Sequence, residues 1–192
     1  MAVQVVALDL MDTVVHDPFR EALEAATGRP ADEALRHREP RSWSRFERAE
    51  LTEQEFFTTF QHVDFDVAAF HAARRDGYRW MSGMPALLDD LGGRAVRAVA
   101  SNYPVWIEEL AQGLLRGRFE HVVASHHLGV RKPERAFYER FCDRIGADAG
   151  GVIFIDDREA NVEGALAAGL RAHLFTDAGD VRARLRQEGM DV

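Results

Sequence analysis

The sequence predicts an α/β protein, a Rossmann-like parallel sheet core with an inserted all-helical cap. Three observations lead to that class. Short apolar runs alternate with stretches of helical spacing. One long stretch after the first run carries helical patterns and no strand pattern. Polar residues stand directly after the apolar runs, where an open parallel sheet gathers its ligands.

Residues 3–8 are nearly continuous in apolar, largely β-branched side chains, the pattern of a strand buried on both faces. Residues 95–100, 120–124, 151–155 and 171–175 repeat that pattern. Between them, residues 104–115, 133–145 and 159–168 show helical spacing. Pro104 and Pro133 are expected in the first turns of their helices, where the missing N–H costs nothing. Gly146 and Gly169 read as C-terminal stops. Short links between strand and helix imply parallel strands with helices on both faces.

The insertion covers residues 15–81, leaving a core of 1–14 and 82–192. Within it, residues 19–26, 31–38, 52–62 and 67–75 read as helices. Thr52-Glu53-Gln54-Glu55 has the form of a capping box, which marks a helix start. The charged stretch 36–50 reads as a solvated helical face. An insertion at the carboxyl end of the first strand overlies the ligand crevice, so it is expected to act as a lid.

Composition narrows the function classes. The chain has 192 residues, 46% hydrophobic and 29% charged, which fits one soluble domain. Its 24 basic and 32 acidic residues give a net charge of −8, the wrong sign for nucleic acid or an anionic membrane. A single cysteine, Cys142, allows no intrachain disulfide and suits a reducing cytoplasm. No apolar run approaches the roughly 18 residues of a membrane span. Met1-Ala2-Val3-Gln4 leads straight into the first expected strand without a leader pattern. The expected partner is a small molecule.

The first run ends at Asp9, the second at Ser101-Asn102 and the fourth at Asp156-Asp157. Lys132, the one lysine among 24 basic residues, falls in the loop after the third. Carboxylates at these places are costly unless paired, and parallel strand ends converge on one crevice. Two or three carboxylates with one ammonium make a cage for Mg²⁺ and a phosphate: oxygen ligands for a hard cation, a positive charge for the anion. Any one of these residues alone reads more simply as a helix cap or loop ion pair. Four together point to a site.

Other residues carry a plain reading beside a functional one. Trp43, Phe46, Trp80, Tyr103 and Trp106 suit core packing, with Tyr103 and Trp106 the better candidates for stacking on a substrate because they follow Ser101-Asn102. His16, Asp17 and Phe19 lie where the chain leaves the core, as hinge or substrate contact. His126 and His127, adjacent in an extended segment, face opposite sides and read as solvated or satisfied. Cys142 reads as packed beside Phe137, Phe141 and Ile145. Asn161 caps its helix or orients Asp157, and Arg158 reaches an anion or pairs with a neighbour.

Four motifs in order, Asp9-Leu10-Met11-Asp12-Thr13, Ser101-Asn102, Arg131-Lys132-Pro133 and Phe154-Ile155-Asp156-Asp157, resemble those of the haloacid dehalogenase superfamily of hydrolases. The resemblance spans essentially the whole chain and includes a cap between the first two motifs. It implies that Asp9 is a nucleophile forming an aspartyl-phosphate. Ser101 and Lys132 would hold the phosphoryl oxygens, with Asn102 and Tyr103 on the substrate side. Asp156 and Asp157 would bind Mg²⁺ alongside Asp9 and the backbone carbonyl of Met11.

One position departs from the pattern. Phosphatases of that superfamily usually carry an acidic residue where Met11 stands, and it protonates the leaving group. A thioether cannot, and losing a general acid costs about 10²–10⁴ in rate. Asp12 supplies that proton from a shifted position or caps the following loop, and both readings stand. Met11 also fits a dehalogenase, which expels halide without a proton but lacks the acidic pair, or a binding protein without catalysis. It fits best a subgroup: residues 9–19, Asp76-Gly77-Tyr78, residues 101–106 and residues 156–162 are similar to flavin mononucleotide hydrolases of plants and their bacterial relatives. That likeness implies a small metabolite phosphate, FMN foremost.

Overall fold

The structure, a computed structural model, describes residues 4–192. Residues 1–3, which include the start of the first expected strand and most of the expected lead-in over residues 1–4, lie outside the described residues. Five strands, β1 (Val5–Leu8), β2 (Val96–Ser101), β3 (His121–Ala124), β4 (Val152–Asp156) and β5 (Arg171–Leu174), form one sheet in the order β3-β2-β1-β4-β5. Every pairing is parallel, with β1 between β2 and β4. Alternate side chains of a strand face opposite ways, and two apolar layers result. Val6, Leu8, Val99 and Ile153 enter one, Val5, Ala7, Ala98 and Phe154 the other.

Eleven α-helices and one 3₁₀ turn (Ala149–Gly151) accompany the sheet among the described residues. Between β1 and β2 come α1 (Phe19–Thr27), α2 (Ala31–Arg36), α3 (Ser42–Glu47), α4 (Glu53–Thr58), α5 (Val67–Gly77) and α6 (Met84–Leu91). After β2 follow α7 (Ile107–Gln112), α8 (Ser125–Leu128), α9 (Arg135–Ile145), α10 (Glu159–Ala167) and α11 (Ala178–Gln187). None is long and apolar enough to cross a membrane. The chain enters and leaves the α1–α5 segment side by side: Met81 N donates to Val14 O and His16 N to Arg79 O, both at 2.9 Å. Thr52 and Glu55 form the expected reciprocal box at the start of α4.

Several elements differ from expectation for identifiable reasons. α2 and α4 stop short of residues 38 and 62 because Glu39 N donates to Thr59 O and Gln61 N to His37 O, each at 2.9 Å. That backbone pairing competes with helix continuation. Pro104 and Pro133 lie ahead of α7 and α9 rather than in their first turns. Asn102 holds the second of these loops: its Oδ1 accepts from Lys132 N at 2.8 Å and its Nδ2 donates to Lys132 O at 2.9 Å. Stretch 36–50 is not a uniformly solvated face, since α3 buries Ser42, Phe46 and Glu47. Phe46 stacks on Phe56 of α4 with centroids 4.5 Å apart. Helices α6, α8 and α11 were not anticipated. α10 sits so close to the Lys132 loop that a Cβ on Gly164 would meet Pro133 O at 2.7 Å.

Candidate active site

The carboxyl ends of β1 and β2 and the turn after β4 open onto a cavity of about 190 Å³, with Asp9, Ser101, Asn102, Lys132 and Asp157 in its wall. Lys132 is 1% exposed. Its Nζ donates to Asp9 Oδ1 at 2.6 Å, Asp156 Oδ2 at 2.6 Å and Ala100 O at 2.7 Å. All three ammonium donors are thereby used, a convergent arrangement that a planar guanidinium does not match. Asp156 is fully buried behind the wall. Its Oδ1 accepts from Arg158 N and Asn161 Nδ2, both at 2.9 Å. Asn161 therefore orients Asp156 and not Asp157, because its place on the first turn of α10 turns the amide back toward the strand end.

Asp9, Asp156 and Asp157 each place an oxygen within 4.8 Å of the others. Burial pushes the Asp9 carboxyl up to about 6; Lys132 opposes the shift and Asp156 adds to it. Burial also raises Asp157, with Asp156 reinforcing. Burial works against the Lys132 charge, but Asp9 and Asp156 outweigh it and hold its pKa above the usual lysine range. Three carboxylates against one ammonium leave excess negative charge on hard oxygen donors, the donor set that suits Mg²⁺. The residues present fit that ion.

Met11 is half-buried on the cavity wall. Asp12 next to it has φ 57°, a left-handed conformation that aspartate tolerates. Its side chain is 55% exposed, and its Oδ1 accepts from Asp17 N at 3.1 Å. The loop-capping role is thus present in the structure, while the carboxylate also borders the cavity. Ser101 is buried at the end of β2. Tyr103 borders the cavity, but its hydroxyl is engaged by that of Tyr78 at 2.5 Å, which in turn accepts from Arg74 at 2.8 Å.

The aromatic candidates sort differently from expectation. Trp106 is packed away from the cavity, against Phe46 at 5.1 Å and under the Arg74 guanidinium at 4.8 Å. Its indole N–H donates to Glu53. Trp43, on α3, borders the cavity instead, with Phe19 at 4.5 Å behind it. His126 and His127 lie on α8 rather than in an extended segment, since β3 ends at Ala124. His127 Nε2 is 2.6 Å from Glu108 and its Nδ1 accepts from Ala124 N at 3.0 Å, so this ring is satisfied. Cys142 is buried, which pushes its thiol up to about 11.

Sequence reasoning placed Glu47 on a solvated helical face and assigned no role to Arg131, yet both border the cavity. Glu47 is 3% exposed, with Arg131 Nε 3.0 Å from its Oε2. Burial raises its carboxyl to about 7, against Arg131 and the Trp43 indole. The one available signal was spacing, since Trp43 and Glu47 are four apart and share a helix face. Asp17 also borders the cavity, its carboxyl raised to about 6 by burial while its Oδ1 accepts from Phe19 N at 3.1 Å.

Comparison with known proteins agrees with this geometry. The sequence profile of the haloacid dehalogenase-like hydrolases matches residues 3–169. Flavin mononucleotide hydrolase 1 of Arabidopsis thaliana is 31% identical over 192 aligned residues, 98% of this chain and 78% of its own. Among solved structures, a HAD-like family hydrolase of Porphyromonas gingivalis superposes with a TM-score of 0.77 at 20% identity, covering 97% of this chain and 99% of that one. A HAD family enzyme of Bacteroides thetaiotaomicron, solved as a magnesium complex, does so with 0.77 at 17% identity, covering 97% and 100%. These two likenesses bear on the fold alone, and the sequence match carries the family. The chain belongs to the haloacid dehalogenase-like hydrolases.

Proposed function

We propose that the protein is a Mg²⁺-dependent phosphomonoester hydrolase acting through an aspartyl-phosphate on Asp9. The observation that carries this reading is Lys132 buried between Asp9 and Asp156, at 2.6 Å from each, beside the third carboxylate of Asp157. Asp9, Asp156, Asp157 and the Met11 carbonyl would hold the metal, which offsets the repulsion between an anionic nucleophile and an anionic phosphate. Lys132 occupies Asp9 Oδ1 and leaves Oδ2 for attack on phosphorus. Ser101 at the end of β2 binds a phosphoryl oxygen, while Lys132, its three donors engaged by Asp9, Asp156 and Ala100 O, orients Asp9 instead of reaching the phosphoryl group as the family resemblance implies. Water then cleaves the acyl-phosphate and restores Asp9. Asn102 acts from behind by fixing the Lys132 backbone. The carboxylate cluster argues against the halide-releasing alternative, and its completeness argues against a purely binding role.

The substrate class is a small metabolite phosphate, with FMN foremost because the Arabidopsis relative is a flavin mononucleotide hydrolase. The cavity of about 190 Å³ is smaller than the roughly 300–1,000 Å³ of sites enclosing drug-sized ligands. It takes the phosphoryl head and the first carbons of the leaving group, and a large ring would lie toward Trp43 with the cap displaced. We assign residues 15–81 to that cap and residues 1–14 and 82–192 to the core. The acidic balance and free Cys142 fit an enzyme acting in the cytoplasm on small molecules rather than nucleic acid or membrane.

The test is phosphate release from FMN and from sugar, nucleotide and aryl phosphates, with Mg²⁺ and with chelator, beside Asp9→Asn. Metal-dependent release that disappears in the variant is the expected result. Wild-type turnover in Asp9→Asn, or no release from any substrate, would sink the reading.

A further inference from the structure

From the placement of α3 over the cavity, we infer that Glu47 is the proton donor to the leaving group, taking the role that Met11 cannot perform. The inference rests on the phosphatase reading. Nucleophilic substitution at phosphorus proceeds in line, so the leaving oxygen points away from Asp9 and the strand ends. That direction is toward the cap. Among acidic side chains that border the cavity, Glu47 is one the cap itself supplies from a helix.

Its Oε2 is buried without an aligned hydrogen bond, and so is the facing Arg131 Nε. Arg131 Nε, 3.0 Å away, pairs with this oxygen by charge and leaves its hydrogen-bonding capacity for the leaving oxygen. The Glu47 backbone is also held in place from behind. Ser125 Oγ donates to Glu47 O at 2.8 Å and accepts from Tyr103 N at 3.0 Å. The last residue of α3 is thereby tied to the loop that follows Ser101. The other acidic candidates are less suited: Asp12 is largely exposed and accepts from Asp17 N, and Asp17 accepts from Phe19 N at the start of α1.

The charged groups facing Glu47 are Arg131, Arg158 and Lys132 from the core, and Arg38 and Arg48 from the cap. They favour the carboxylate, yet burial prevails and brings the group to about 7. A proton donor works best near the operating pH. An arriving phosphate dianion raises the group further, so substrate binding helps to load the proton. In the first step Asp9 Oδ2 bonds to phosphorus as the P–O bond to the leaving group breaks. That electron pair takes the Glu47 proton, and the alcohol departs neutral. In the second step the Glu47 carboxylate takes a proton from water as its oxygen attacks phosphorus. The P–O bond to Asp9 breaks, inorganic phosphate forms, and Glu47 is again protonated.

The experiment measures kcat/KM over a series of aryl and alkyl phosphates of rising leaving-group pKa. It compares wild type, Glu47→Gln, Asp17→Asn and the double variant Met11→Asp/Glu47→Gln. Glu47→Gln is expected to lose about 10²–10⁴-fold on alkyl phosphates and under about tenfold on nitrophenyl phosphate, whose leaving group needs no proton. The double variant is expected to regain at least part of the alkyl activity, a rescue that a merely structural role would not show. An equal loss across the series, no loss at all, or leaving-group dependence confined to Asp17→Asn would overturn the assignment. Failure of the underlying reading has a separate signature, the absence of Asp9-dependent turnover of nitrophenyl phosphate in wild type. In that case this inference falls with it.

Discussion

Lys132 Nζ lies 2.6 Å from Asp9 Oδ1, with the side chains only 1% and 10% exposed. Such a pair is stabilising only as a unit: removing one partner leaves the other's charge buried. Lys132→Met is expected to cost about 3–5 kcal/mol in denaturant unfolding at neutral pH and to abolish hydrolysis. Lys132→Arg is not expected to restore either, since three convergent acceptors around a point charge do not accommodate a flat fork.

Asn161 acts on Asp156 through a single 2.9 Å hydrogen bond from its amide. Groups that orient a metal ligand typically contribute 10–100-fold in affinity. Asn161→Ala should therefore raise the Mg²⁺ concentration for half-maximal phosphate release by about 10–100-fold. An unchanged Mg²⁺ requirement would separate Asp156 from the metal.

Glu47 makes stability depend on pH in a defined direction. Its carboxyl rises from 4.5 to about 7 on folding, burial being the main cause. The folded protein therefore holds a proton that the unfolded chain has released between those values. The stabilisation is complete below about 4.5 and is lost as pH rises through about 7. Unfolding without divalent cations should show a fall on the order of 2–3 kcal/mol over this window from Glu47. Asp9 and Asp17 shift in the same direction, so the measured quantity is the difference between wild type and Glu47→Gln. Parallel pH curves for the two proteins would contradict the burial argument.

Ser125 is buried, and its hydroxyl joins Glu47 O of α3 to Tyr103 N in the loop that follows Ser101. Ser125→Ala strands both backbone groups, for an expected loss of about 1–3 kcal/mol measured by chemical denaturation. It should also weaken alkyl phosphate hydrolysis more than aryl phosphate hydrolysis, because it loosens Glu47 and leaves Asp9 and Lys132 untouched.

Much of this protein was decided locally along the chain. The five strands appear within a residue or two of their apolar runs, most plainly β1 and β4, which are buried at every position and therefore almost continuously apolar. The convergence of Asp9, Ser101, Lys132 and Asp157 followed from chain order, since parallel strands deliver their carboxyl ends to one side. Thr52-Glu55 and Gly146 marked helix ends by their own chemistry. Other features depend on contacts between distant segments, and no local pattern announces those. Trp43 and Glu47 reach the cavity because α3 docks on α4 and α8. Trp106 turns away from it because the rings of Phe46 on α3 and Phe56 on α4 enclose it. Asn161 serves Asp156 because the first turn of α10 folds back on the strand it follows. In a charged stretch such as residues 36–50, the face that becomes buried is chosen by what arrives to cover it. Only the tertiary structure supplies that covering surface.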